Sequence, residues 1–195
     1  MRTIWSTVER AVLVLALGAV TTLATAGEQT PTAVELSGNR LFQQNAHRLY
    51  EANATQHEVR LLRVSAAFKH TLASASSIVF PASHSQVIDG KEFVLVVVNQ
   101  ASSSNPTGFC GVGEEGTLYV LELHDLTADP RFSLPVQSCL KTIDLSSDGV
   151  KSPYSAISWK ESPVGLRVSW QQDAKGNEAT HTFRYENGKF VEATQ

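Results

Sequence analysis

The chain has 195 residues, a formal net charge of −3 with histidines neutral, and only two cysteines. Its lysines and arginines are scattered, which leaves no electrostatic footprint for a phosphate backbone and excludes nucleic acid as a partner. No polybasic run or basic amphipathic helix is present to hold the chain on an anionic membrane.

Residues 1–26 have the layout of a cleaved secretory signal. Arg2 gives a positive start, residues 11–23 are almost wholly apolar, and Ala24, Thr25 and Ala26 supply the small residues that a signal peptidase accepts. The apolar run is too short to span ~30 Å of hydrocarbon, and no second run follows it. Cleavage removes Arg2, Glu9 and Arg10, so the mature chain is one unit more negative and has no stable membrane insertion. No cysteine lies at the cut to carry a lipid. The expected organisation is a signal over 1–26, a flexible leader over 27–36 and a single β-rich domain over 37–195, located in the periplasm or outside the cell.

In chain order, a helix is predicted over 37–55 from the spacing of Leu41, Ala46, Leu49, Tyr50 and Ala52, with Ser37 as N-cap. Residues 57–64 fit a strand or a helical continuation equally, and 66–74 reads as a short helix. The character then becomes β. A short run over 77–80 ends at Pro81, and Asp89-Gly90 marks a hairpin between 86–88 and 93–98. The run Phe93-Val94-Leu95-Val96-Val97-Val98 predicts a central strand buried on both faces. Residues 117–123 form a second strong strand. A loop is read at Ala128-Asp129-Pro130, then a strand over 136–145 carrying Cys139. Strands over 154–160 and 165–171 pair across a turn, and Asn187-Gly188 turns a last hairpin between 180–185 and 189–191. The fold class is mainly β (α+β), an antiparallel, sandwich-like arrangement with an N-terminal helical segment and one disulfide.

In an oxidising compartment, Cys110 and Cys139 are expected to bridge. Closing a loop of that length stabilises the fold by ~3.5 kcal/mol in the chain-entropy picture. The bridge sits in the densest stretch of the chain, residues 108–116, with Phe109, Gly111, Gly113, Glu114 and Glu115 around Cys110. Two readings stand side by side. In one, this is a rigid partner-binding loop: glycines turn with φ > 0, the bridge pins it, and the two glutamates present charge. In the other, it is a bulged strand entry whose glycines permit close approach to Cys139, with the glutamates solvated.

Other chemistry is poorly supported. Adjacent Glu114 and Glu115 point to opposite faces of an extended segment and cannot act as a glycosidase pair. No calcium-loop template or zinc-ligand spacing is present, and neither a metal nor a cofactor is expected. His47, His57, His70, His84, His124 and His181 are dispersed. His124-Asp125 reads as a turn beside a strand end, and no Gly-x-Ser-x-Gly elbow exists. Trp159 and Trp170, near Tyr154 and Tyr185, fit either a binding groove or a core pair across a hairpin. Asn53-Ala54-Thr55 matches the N-glycosylation tripeptide.

In size, signal and β content the chain is similar to small exported bacterial proteins such as periplasmic lysozyme inhibitors and immunity proteins, although no motif carries that likeness. The functional expectation is a non-enzymatic inhibitor or immunity-type protein that binds a protein of the cell envelope, such as a toxin or wall-degrading enzyme. The alternatives are a secreted hydrolase of wall or polysaccharide, using acids from Glu114, Glu115, Asp125 or Asp144, and an envelope assembly factor.

Overall fold

The computed structural model describes residues 30–193 except 54, 57, 104 and 106. The expected signal, the start of the expected leader and His57 lie outside the described residues. The described chain is mostly β, with antiparallel ladders, one α-helix and one disulfide.

Where the spacing predicts a helix over 37–55, the chain instead folds back on itself as strands. The first sheet is β1 (Ala33–Leu36), β2 (Arg40–Asn45), β3 (Arg48–Asn53) and β4 (Glu58–Leu61), in that order. Gly38 and Asn39 turn β1 into β2 with φ of 73° and 57°. Ala46 and His47 both take left-handed conformations between β2 and β3, the two-residue hairpin turn whose twist matches that of strands. No helix can run through such residues. The apolar residues are sorted by the two-residue period instead, with Phe42 and Leu49 fully buried. The end of the expected leader, residues 33–36, is the strand β1. Val34 and Leu36 of β1 are buried, and Glu35 exchanges backbone hydrogen bonds with Ser83 and Ser85.

The short helix falls where its pattern predicts, as α1 (Ala66–Ala73). The Ser65 hydroxyl accepts from the Phe68 N–H, and Phe68 and Leu72, one turn apart, are its buried face.

The middle sheet contains β5 (Ser77–Val79), β6 (Gln86–Ile88), β7 (Lys91–Ala101), β8 (Glu114–His124) and β9 (Thr127–Ser138). Its order is β5-β7-β8-β9, with β6 also on β7. Asp89 and Gly90 make the expected turn, and Phe93 to Asn99 are all buried. Alternation divides β7 between two cores. Val94, Val96 and Val98 face the first sheet and α1, whereas Phe93, Leu95 and Val97 face the third sheet.

The loop expected at Ala128-Asp129-Pro130 belongs to β9. Prolines are tolerated there because β9 ends the sheet order, and a register shift lies beside Pro130. The single strand expected over 136–145 is broken: β9 stops at Ser138, Thr142 is left-handed, and the chain crosses to β10 (Asp144–Leu145).

The third sheet has the order β10-β12-β13-β14, with β11 on β12; its strands are β11 (Ile157–Glu161), β12 (Val164–Gln172), β13 (Ala179–Glu186) and β14 (Lys189–Glu192). The strand expected to start at Tyr154 begins with a 3-10 turn, Pro153–Ala156. At Gly165 a Cβ would lie 2.2 Å from the Phe183 carbonyl oxygen, so only glycine lets β12 and β13 approach this closely.

Candidate functional site

The connection between β7 and β8 carries the disulfide. Cys110 and Cys139 are bridged with their Cα atoms 5.8 Å apart, across a separation of 29 residues. The bridge therefore ties the β7–β8 connection to the chain just beyond β9. Two consecutive tight turns shape the loop: Gly111 N–H donates to the Gly108 carbonyl (2.9 Å) and Gly113 N–H to the Cys110 carbonyl (3.0 Å). The residue in the left-handed region is Cys110, with φ of 58°, and none of the glycines at 108, 111, 113 and 116 takes a positive φ. Gly113 instead meets a steric demand, because a Cβ there would come within 2.6 Å of the Cys139 Cβ. The close approach to Cys139 weighed from sequence is thus the reason for that glycine.

The two glutamates lie against the sheet. Glu115 accepts from the Ser102 hydroxyl (2.6 Å), the Ser138 hydroxyl and the Leu140 N–H (3.2 Å). Glu114 accepts from the Ser76 hydroxyl (2.7 Å). Ser102 lies in the β7–β8 connection just past β7 and Ser138 ends β9, so the Glu115 carboxylate fastens both chain segments that the disulfide joins. Burial pushes the Glu115 carboxyl up, but the Ser102 and Ser138 hydroxyls and the Leu140 and Cys139 N–H groups outweigh it and hold it below the ordinary carboxylate range.

That direction fixes a pH dependence. A group with a depressed folded pKa stabilises above its unfolded pKa, and the contribution is lost as pH falls through the folded value. Glu115→Gln is therefore expected to be less stable than the parent at pH 7, with the deficit shrinking below about pH 5. Urea midpoints at pH 7 and pH 3.5 check this, and a deficit that is constant with pH contradicts it.

Apolar groups face outward from the same place. Phe109 is 83% exposed, Val112 92% and Leu140 56%. Phe109 and Leu140 adjoin the two half-cystines, so the bridge holds the backbone that carries them close together. Sequence reasoning selected Phe109 but missed Val112 and Leu140. The signal that marks Leu140 is its place next to Cys139.

The remaining candidates do not gather here. Asp125 follows the far end of β8 from Glu114, roughly 30 Å or more away at the rise of an extended strand. There it turns the β8–β9 hairpin with φ of 45°, and it pairs with His124 (3.0 Å) in full solvent. Asp144 is exposed in β10, opposite Gln172. Trp170 is buried in the second core, while Trp159 is half-buried and donates its indole N–H to the His84 carbonyl (3.2 Å). Trp159 sits opposite Leu166, not Trp170. Asn53 accepts from the Thr55 and Gln56 N–H groups, closing a local turn.

Among the described residues no group of three or more His, Cys, Asp or Glu side chains could hold a metal, and no helix is long and apolar enough to cross a membrane. The framework is that of a disulfide-bonded, β-rich protein with an apolar, bridge-clamped loop. Comparison with family models, curated proteins and solved structures gives no match.

Proposed function

We propose that the chain is an exported, non-enzymatic binding protein of the cell envelope, acting as an inhibitor or immunity-type protein that occludes a protein partner with the 108–116 loop. The observation that carries this reading is the exposure of Phe109, Val112 and Leu140 on a segment held by both a disulfide and the Glu115 hydrogen bonds. Large apolar side chains on a pre-ordered loop lose little conformational freedom on binding, which is how a small contact reaches high affinity. In this reading Phe109 is the anchor, Gly111 and Gly113 set the loop's path, Glu115 braces its base through Ser102 and Ser138, and Glu114 ties the start of β8 to Ser76. The glutamates thus support the contact instead of facing the partner. A wall-acting hydrolase would need carboxyls that converge on one cleft, and the separation of Glu114 from Asp125 weighs against that alternative.

The test is affinity capture from an envelope extract with the unaltered protein and with Phe109→Asp/Val112→Asp. One stoichiometric partner is expected, its recovery reduced at least about thirtyfold by the loop variant, the scale of a ≥2 kcal/mol hot spot. Equal recovery by both proteins contradicts the assignment of the loop. Capture of a large multi-component assembly favours the assembly-factor alternative instead.

A further inference from the structure

A second surface, remote in sequence from the disulfide loop, has the chemistry of a small-molecule site. A cavity of about 480 Å³ opens between the β3–β4 edge and α1. Leu49, Leu62 and Leu72 close its bottom, and Leu61 stands half-exposed at its rim. Arg48, Arg63 and Lys69 surround the mouth, and no acidic side chain lines it.

These cations come from three separate segments, which is why no basic run announces them in the sequence. Among the described residues, Arg48 and Lys69 have no carboxylate partner. The Arg63 guanidinium donates to the Asp125 backbone carbonyl, at 3.3 Å, and among the described residues it has no carboxylate partner. Elsewhere the arginines of the same sheet are paired: Arg40 and Arg60 both bind Glu51. In a chain of net negative charge, three cations left without carboxylates around an apolar pit form a local reversal of sign. The cavity also falls within the usual size range of small-molecule sites, ~300–1,000 Å³.

We propose that this cavity binds a single anionic amphiphile, an acyl chain ending in a carboxylate. The chain lies on Leu49, Leu62 and Leu72, and the head group meets Arg48, Arg63 and Lys69. Apolar burial supplies affinity, while the cations fix the orientation and reject a positively charged head.

The test titrates the purified protein with laurate below its micelle concentration, with dodecyltrimethylammonium, and with phosphatidylglycerol vesicles. Saturable binding of one laurate per chain is expected, at least about tenfold tighter than the cationic amphiphile. Arg48→Glu/Lys69→Glu should weaken laurate at least about tenfold, and Leu61→Asp should weaken both amphiphiles. Both cations are exposed, so an unchanged thermal transition is expected for the double variant. Should that variant fail to fold, the comparison of the two head groups on the unaltered protein still decides. Equal affinity for the two amphiphiles, absence of saturation, or binding to vesicles without binding of monomeric laurate would each overturn the proposal.

Discussion

Replacing both cysteines, Cys110→Ser with Cys139→Ser, is expected to lower stability by about 3.5 kcal/mol. Opening a covalent loop with a sequence separation of 29 residues restores freedom chiefly to the unfolded chain. Changing both residues avoids a lone reactive thiol. Against net stabilities of ~5–15 kcal/mol the loss is large, and it falls first on the loop. Glu115 then still joins the segments at Ser102 and Ser138, beside the Cys139 N–H bond to the Glu114 carbonyl. Urea unfolding of the two proteins at neutral pH measures the difference. A loss below about 1 kcal/mol would mean that the sheet and the Glu115 contacts hold this region without the bridge.

Phe93→Ala is expected to cost about 4 kcal/mol, in the range for deleting a fully buried aromatic ring. Phe93 has no exposed surface, and its ring centroid lies 5.1 Å from that of Tyr185 and 5.5 Å from that of Phe190, edge-on to the latter. It therefore joins β7 to β13 and β14, and truncation leaves a void where the middle and third sheets meet. Chemical denaturation gives the magnitude, and amide exchange gives the place: protection should fall in β12–β14 before it falls in β1–β3. A cost below about 1 kcal/mol, or loosening that begins in the first sheet, contradicts this division into two cores.

The division was partly legible in the amino-acid sequence. A six-residue apolar run rich in valine reads as a strand with both faces covered, and β7 is that strand. The Asp89-Gly90 and Asn187-Gly188 hairpins declared themselves because those residue types favour left-handed turns. The same geometry at Ala46-His47 was invisible, because that pair does not advertise positive φ, whereas at Asp125-Leu126 the aspartate marked a turn beside the strand end. With the first of these turns hidden, the alternating faces of β2 and β3 overlapped into an apparent helical spacing. Pro130 misled for a different reason. It argues against a central strand, and β9 is an edge.

At the loop, the disulfide and the need for glycine beside Cys139 could be read from the spacing and composition. The hydrogen bonds that hold Glu114 and Glu115 could not, because their partners Ser76, Ser102 and Ser138 are three among many serines. Nor could the exposure of Val112 be found, since an isolated apolar residue in a loop gives no sign of it, and Leu140 was marked only by its place next to Cys139. The cationic cavity escaped notice because only the fold brings Arg48, Arg63 and Lys69 together.

The most direct measurement of the loop's role is amide hydrogen exchange on the complex with the captured partner, compared with the free protein. New protection is expected over 109–112 and at Leu140 and Lys141, with little change in β3, β4 and α1. Protection that appears elsewhere, while the loop around Phe109 exchanges as it does in the free chain, would contradict the proposal that this disulfide-clamped loop is the contact surface.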